Sequence, residues 1–115
     1  MKRKIPTYIH AVLDYFLVFA LFWGPSILKL DAYSLPAISS VASGGLVAAL
    51  SILTRYEGGV IRVIPFTVHR QADIVFGLAL ILLSIYLFFA SRPFVFHVIA
   101  GAAITLFALA SKQNR

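Results

Sequence analysis

The sequence predicts an all-α integral membrane protein with four transmembrane helices. The chain is 61% hydrophobic and only 12% charged, and its mean hydropathy of +0.95 is higher than a soluble domain of this length shows. Four apolar stretches cover residues 9–28, 36–54, 72–90 and 93–110. Each has about 18–20 residues, the length at which an α-helix crosses a ~30 Å hydrocarbon core. We therefore expect one membrane-spanning helix in each stretch.

The chain also repeats a motif. Residues 5–14 read IPTYIHAVLD and residues 64–73 read IPFTVHRQAD, so that Ile-Pro-x-x-x-His-x-x-x-Asp occurs twice at an interval of 59 residues. This predicts two helical-hairpin repeats, residues 1–58 and 59–115. Because two spans return the chain to its starting side, the repeats would have the same orientation and a pseudo-twofold axis along the membrane normal.

The basic residues predict the orientation of the spans. Lys29 and Arg92 follow the first and third spans. The remaining basic residues lie on the opposite side: Lys2, Arg3, Lys4, Arg55, Arg62, Arg70, Lys112 and Arg115. The positive-inside rule then places both termini and the loop between the second and third spans in the cytoplasm.

The net charge of +6 is explained by this topology, because the charges flank the spans. The expected partners are the lipid bilayer and anionic lipids at its cytoplasmic face, and nucleic acid is not an expected partner. We also expect a homo-oligomer, since four short helices enclose little volume. The chain has no cysteine, which excludes disulfides and thiolate chemistry.

Each span has a feature of its own. The first starts after Ile-Pro and contains Pro25 near its end, and the third starts in the second copy of the motif. The second and fourth spans are rich in Gly and Ala, which let helix backbones pack closely in lipid. Segment 55–70 mixes glycine, charge and branched apolar residues, which is typical of an interfacial segment. Aromatic residues predicted at the two membrane interfaces are Trp23, Tyr33 and Tyr86 on the outside and Tyr8 and Tyr56 on the inside.

The candidate functional residues are His10, Asp14, His69 and Asp73. A four-residue step on a helix puts His10 and Asp14 on one face, and the same holds for the second pair. Ionisable groups are costly when they face lipid, so both pairs are expected to face the bundle interior in its cytoplasmic third. If the first and third spans meet at the pseudo-twofold axis, the pairs form one polar cluster.

Several interpretations of this cluster stay open. The pairs either lock the two halves together, or bind a small ion or lipid headgroup, or hold a Zn, Mn or non-haem Fe ion. A protonatable transport site and haem ligation by the two histidines are further alternatives. No metal site is assigned and no cofactor is required by the sequence. The chain shows no nucleophile–base set and no phosphate loop, so we expect no enzyme, and His97, which stands apart, is expected to be structural.

The sequence resembles the SPW-repeat family of small bacterial membrane proteins, which carry two copies of a two-helix unit. At the places of the Ser-Pro-Trp motif this chain reads Gly24-Pro25-Ser26 and Ser84-Ile85-Tyr86, so that Pro25 and Ser84 are in register with the motif. The two Ile-Pro openings and the connector RYEGGVIRVIP are closer to that family. The resemblance implies a multi-pass bacterial inner-membrane protein with duplicated hairpins, and it implies no activity.

Overall fold

The chain folds into four α-helices. The computed structural model describes residues 5–111, and its helices are α1 (Thr7–Ile27), α2 (Leu35–Leu53), α3 (Phe66–Phe89) and α4 (Val95–Ala110). Helices α1, α2 and α3 are long and apolar enough to cross a membrane, so the prediction of an all-α protein with membrane-spanning helices is confirmed for these three. Helix α4 is apolar but shorter, with 16 residues. At a rise of 1.5 Å per residue it is about 24 Å long, less than the ~30 Å of the hydrocarbon core.

Two helices begin at other residues than the apolar stretches do. Helix α3 begins at Phe66, six residues before the stretch 72–90, and α4 begins at Val95, with Phe94 as its N-cap. Arg70, assigned to a loop by its charge, therefore lies inside α3, where it is buried and its Nε donates to the carbonyl of Ala108 at 2.7 Å. The polar first turns of α3 are therefore part of the helix and pack inside the bundle, although hydropathy alone assigns them to the preceding loop.

The orientation predicted from the basic residues rests partly on residues outside 5–111. Lys2, Arg3, Lys4, Lys112 and Arg115 lie outside the described residues. Arg55 and Arg62 lie in the connecting loop, residues 54–65, which joins α2 to α3. We call the end of the bundle that holds this loop the loop end, and the opposite end, with the turns after α1 and α3, the far end.

Each Ile-Pro pair starts a helix at the loop end. Pro6 and Pro65 are the N-caps of α1 and α3, where the fixed φ of proline suits the start of a helix and its missing N–H is not needed. The preceding isoleucines are anchored by backbone hydrogen bonds, from Ile5 to the carbonyl of Ala110 at 3.0 Å and from Ile64 to the carbonyl of Leu53 at 2.8 Å. The Ile-Pro pair therefore fixes the depth at which the histidine and aspartate enter the bundle.

Helices α1 and α3 end in the same way at the far end. Lys29 and Ser91 adopt left-handed backbone angles, with φ of 59° and 58°. After α1, Lys29 donates to the carbonyl of Ser26 and the next residue donates to that of Pro25, which is the hydrogen-bond pattern of a Schellman motif. The same pattern follows α3, and both turns reverse the chain within a few residues.

The helices form two hairpins, with α1 packed along α2 and α3 packed along α4. Small residues allow the close approach: Gly44 faces Leu21 and Phe22, and Gly101 faces the carbonyl of Gly77. In the middle of the bundle all four helices contribute to a cluster of buried apolar side chains, which we call the apolar layer: Leu17, Leu21, Val47, Leu80, Ala100 and Ile104.

The outer surface of the bundle is apolar. Large hydrophobic side chains such as Phe16, Val75 and Leu106 are more than half exposed, as expected when lipid is the surrounding solvent. The aromatic residues predicted at the outer interface, Trp23, Tyr33 and Tyr86, are exposed too. Tyr56 differs from its prediction as an interfacial residue, because its side chain is buried inside the bundle.

The close approach of α3 and α4 predicts the effect of adding one methyl group. A Cβ at position 101 would lie 2.7 Å from the Gly77 carbonyl oxygen, whereas a Cβ at position 45 would meet nothing within 4 Å. We expect Gly101→Ala to destabilise the fold by about 1–3 kcal/mol and Gly45→Ala to leave it unchanged or to stabilise it by up to about 1 kcal/mol. Thermal unfolding in detergent measures both, and equal melting temperatures for the two variants would contradict the packing.

Candidate functional site

The structure brings the four candidate residues together in one buried group, the His–Asp cluster. His10 Nε2 lies 3.2 Å from Asp14 Oδ1 and 3.0 Å from Asp73 Oδ2. His69 Nε2 lies 3.0 Å from Asp14 Oδ2 and 3.1 Å from Asp73 Oδ2. One ligand atom from each residue lies within 4.8 Å of all the others. Each imidazole therefore contacts the carboxylate of its own helix and that of the other hairpin.

The positions of these side chains follow from the two helix starts. His10 and His69 are each the fourth residue after an Ile-Pro pair, and the two aspartates lie one turn further along. Because Pro6 and Pro65 begin α1 and α3 at the same end of the bundle, the His–Asp pairs lie at the same depth. The two imidazole rings face each other edge to face, with centroids 5.4 Å apart.

The Nδ1 atom of each imidazole ring, on the side away from the carboxylates, contacts a hydroxyl group. His10 Nδ1 lies 2.5 Å from Ser111 Oγ, and His69 Nδ1 lies 2.6 Å from Thr54 Oγ1. Each hydroxyl donates its single hydrogen to the carbonyl four residues earlier, that of Phe107 or Leu50. The hydroxyl oxygen must therefore accept from Nδ1–H, which assigns the proton to Nδ1 and directs Nε2 toward the carboxylates.

His69 Nε2 is a buried polar atom without an aligned hydrogen-bond partner. Two carboxylate oxygens lie at 3.0 and 3.1 Å from it, but neither lies on the axis that an N–H bond would need. His10 Nε2 differs, since its contact with Asp73 Oδ2 has hydrogen-bond geometry. Distance alone would describe equivalent contacts at the two histidines, whereas hydrogen-bond geometry is present at His10 Nε2 and absent at His69 Nε2.

Two aromatic residues, Tyr56 and Phe66, cover the cluster on the loop side, and we call them the aromatic cover. Their rings stack with centroids 5.8 Å apart, and the Phe66 ring meets the edge of His10 at 5.0 Å. The Tyr56 hydroxyl donates to Asp14 Oδ2 at 2.7 Å. Burial first, and then the charge of Asp14, raise the pKa of the Tyr56 phenol above its usual value, which keeps it a donor.

A surface cleft of about 440 Å³ lies above this cover at the loop end. Its lining residues are Thr7, Arg55, Tyr56, Glu57 and Arg62. The Glu57 carboxylate accepts from Thr7 Oγ1 at 2.9 Å, and the Arg62 guanidinium donates to the carbonyls of Gly59 and Glu57. The cleft is therefore polar and mixed in charge, and Tyr56 borders both the cleft and the cluster.

His97 lies on α4 beyond the apolar layer, away from the cluster. It is buried and its Nε2 lies 2.8 Å from Ser39 Oγ on α2. Nothing in the spacing of the sequence singles out this serine as the partner of His97. The contact ties α2 to α4 near the far end.

Sequence reasoning missed three residues that hold the cluster: Thr54, Ser111 and Tyr56. Thr54 and Ser111 carried a signal, since each is a hydroxyl residue directly after the second helix of a hairpin. An alignment of the two hairpins carried to their ends would have found this pair. Tyr56 carried no comparable signal, because the position two residues after Ser111, which corresponds to it in the second hairpin, is Gln113.

Comparison of the chain with protein-family models, with curated proteins and with solved structures finds no match. The resemblance to the SPW-repeat family thus stays a prediction, and the function has to be argued from the cluster itself.

The hydroxyl partners predict the effect of an isosteric substitution. Thr54→Val keeps the shape of the side chain but leaves His69 Nδ1–H without an acceptor, which we expect to cost about 1–3 kcal/mol of stability. Thr105→Val is the control, because the Thr105 hydroxyl donates only to the carbonyl of Gly101 in its own helix, and it should cost less than about 1 kcal/mol. Chemical or thermal unfolding in detergent measures both. Equal losses would show that the hydroxyl at residue 54 does not support the histidine.

Proposed function

We propose that this protein is a four-span membrane protein whose His–Asp cluster binds one divalent transition-metal ion, with Zn²⁺ the best fit. The observation that carries the proposal is the convergence of two imidazole Nε2 atoms and two carboxylates, with nitrogen–oxygen distances of 3.0–3.2 Å. His69 Nε2 is buried without an aligned hydrogen-bond partner and contacts both carboxylates.

The distances suit a tetrahedral ion. Zinc bonds of about 2.0–2.1 Å to nitrogen and oxygen place neighbouring ligand atoms about 3.3 Å apart. The nitrogen–oxygen contacts in the cluster are 0.1–0.3 Å shorter than that edge, and one ligand atom from each residue lies within 4.8 Å of the others. The four side chains would therefore have to adjust around the ion, the wider separations closing toward ~3.3 Å. Two imidazoles and two carboxylates are also a ligand set that zinc, manganese and iron accept.

The surroundings of the ligands have the form of a metal site. Each imidazole donates from Nδ1 to a hydroxyl, and the Tyr56 hydroxyl donates to Asp14. Such second contacts fix the tautomer and the orientation of metal-binding side chains. One divalent ion would also neutralise the two carboxylates, which is needed because unpaired charge inside a membrane protein is costly. In the metal-free protein two protons on the imidazoles would do the same.

The packing argues against the other interpretations of the cluster. A porphyrin needs an open slot between two axial histidines, whereas both imidazoles here contact the same carboxylates with ring centroids 5.4 Å apart. A transport path needs polar groups through the membrane, whereas the apolar layer fills the bundle next to the cluster on its far side. We therefore assign the cluster to binding from one side rather than to conduction.

We also propose that the two hairpins are duplicated units related by a pseudo-twofold axis, as in the SPW-repeat family, with α4 crossing the membrane like the other helices. The contacts support this, because equivalent bonds occur twice. His10 to Ser111 corresponds to His69 to Thr54, and the backbone bond from Ile5 to the end of α4 corresponds to the one from Ile64 to the end of α2.

The proposed orientation places the loop end in the cytoplasm of a bacterial inner membrane, where Arg55 and Arg62 would meet anionic headgroups. Single cysteines test it, since the chain has none. Val60 in the connecting loop is 77% exposed and Tyr33 at the far end is 89% exposed. We expect a membrane-impermeant maleimide to label Tyr33→Cys in right-side-out vesicles and Val60→Cys only in inside-out vesicles. The reverse pattern would invert the topology.

Metal binding is tested on purified protein without an affinity tag. After chelator treatment we expect one Zn²⁺ per chain by calorimetry and elemental analysis, and Co²⁺ should give the visible absorption of a tetrahedral site. His69→Gln and Asp73→Asn should each weaken binding by more than the ~10–100-fold that loss of a second-shell partner causes. Zinc at 100 times its Kd should stabilise the fold by about 2.7 kcal/mol.

His97→Gln is the matched control, because His97 is also buried but lies away from the cluster. It should bind zinc like the wild type. A wild-type protein that binds no divalent ion would refute the proposed function, and a His97 variant that loses zinc as fully as the His69 variant would place the site elsewhere.

A further inference from the structure

Tyr56 separates the His–Asp cluster from the cleft at the loop end. Its ring lines the cleft on one side, and on the other side its hydroxyl donates to Asp14 Oδ2 at 2.7 Å. The whole residue is only 5% exposed although it belongs to a loop. Tyr56 is therefore a partition between a water-accessible cleft and a buried ligand set.

The connecting loop is fastened to α1 by three side-chain hydrogen bonds. Besides Tyr56 to Asp14, the Tyr15 hydroxyl donates to the Gly58 carbonyl at 2.7 Å, and Thr7 Oγ1 donates to Glu57 at 2.9 Å. Of these bonds, that of Tyr56 alone reaches the cluster. The other two hold the loop against α1 without touching a proposed ligand, which separates the role of Tyr56 from that of the loop as a whole.

The remaining sides of the cluster are closed by packing. The apolar layer follows it along the bundle axis toward the far end, and Phe66 stacks on His69 and meets the edge of His10. An ion arriving through that layer would lose its water with no polar group to replace it, which is costly. Among the residues that line the cleft, Tyr56 is the one that contacts the cluster. A route from the cleft to the cluster therefore passes the Tyr56 ring.

Glu57 gives the cleft a carboxylate next to this route. The chain has four acidic residues, of which two belong to the cluster and Asp31 lies at the far end, after α1. Glu57 is thus the one acidic side chain of the connecting loop, and it lines the same cleft as Tyr56. A carboxylate at the mouth of a site raises the rate at which cations arrive.

We propose, resting on the proposed metal site, that Tyr56 is the gate through which the metal ion enters and leaves the His–Asp cluster, with Glu57 capturing the ion in the cleft. In the closed state the Tyr56 hydroxyl holds Asp14 and its ring shuts the opening. The gate opens when this hydrogen bond breaks and the ring turns out of the site, while the bonds of Tyr15 and Thr7 keep the loop attached to α1.

The proposal is tested by exchange kinetics rather than by affinity. Zinc release from the loaded protein to an excess of fluorescent chelator, and uptake by the metal-free protein, are followed by stopped flow in detergent. Tyr56→Phe keeps the ring and removes one hydrogen bond, so we expect uptake to be about tenfold faster. Release should accelerate more than uptake, because loss of this second-shell partner of Asp14 also weakens binding by ~10–100-fold. Tyr56→Ala removes the ring as well and should be faster still.

Two further variants serve as controls. Tyr15→Phe removes a part-buried loop hydrogen bond of the same length that touches no proposed ligand. Its rates should stay within about twofold of the wild type, because a hydrogen bond between neutral groups contributes less than one to a charged carboxylate. Glu57→Gln keeps a side-chain oxygen that can accept from the Thr7 hydroxyl and removes only the charge, so it should slow uptake and leave release unchanged.

The outcomes separate this inference from the proposed function. A wild-type protein that takes up no zinc overturns both. If the wild type binds zinc and the Tyr56→Phe variant exchanges it at the same rate as the wild type, the gate is overturned and the metal site stands. If Tyr15→Phe accelerates exchange as much as Tyr56→Phe, the loop as a whole and not Tyr56 controls access, which also overturns the gate.

Discussion

The burial of two carboxylates between α1 and α3 is the constraint on which the rest of this structure depends. Asp14 and Asp73 are almost fully buried, in a bundle whose outer surface is apolar, so neither water nor lipid can balance their charge. Each carboxylate meets both imidazoles at 3.0–3.2 Å. Helices α1 and α3 must therefore face each other at this turn, and the Ile-Pro starts set the depth at which they do so.

The same constraint explains how the two hairpins are joined. Within a hairpin the helices are held by close packing of small residues such as Gly44 and Gly101. Between hairpins the contacts are polar at the loop end, where His10 reaches the end of α4 and His69 reaches the end of α2. When one partner is removed from such a network, the remaining polar groups stay buried with neither a hydrogen-bond partner nor water. The interface between the hairpins therefore depends on all members of the network together.

The sequence could predict those features that have a fixed spacing. Long apolar stretches indicate membrane helices, and His-x-x-x-Asp places two side chains on one helix face whatever surrounds them. It could not place the start of α3 more closely than within residues 64–73, because hydropathy counts Arg70 and Gln71 as solvent-facing although the bundle buries Arg70. Nor could it find Tyr56, because the contacts of a loop residue depend on the path that the loop takes over the helices.

The charge balance of the cluster suits the reversible metal binding proposed for it. Two carboxylates are neutralised equally by one divalent ion or by protons on both imidazoles, so loading and unloading leave the net charge in the membrane interior unchanged. A small zinc domain without its ion unfolds, since its ligands are its core. Here the apolar layer and the glycine contacts hold the helices independently of the ion. Occupancy would therefore follow the supply of metal while the fold stays intact, and the residues around the opening would set how fast it changes.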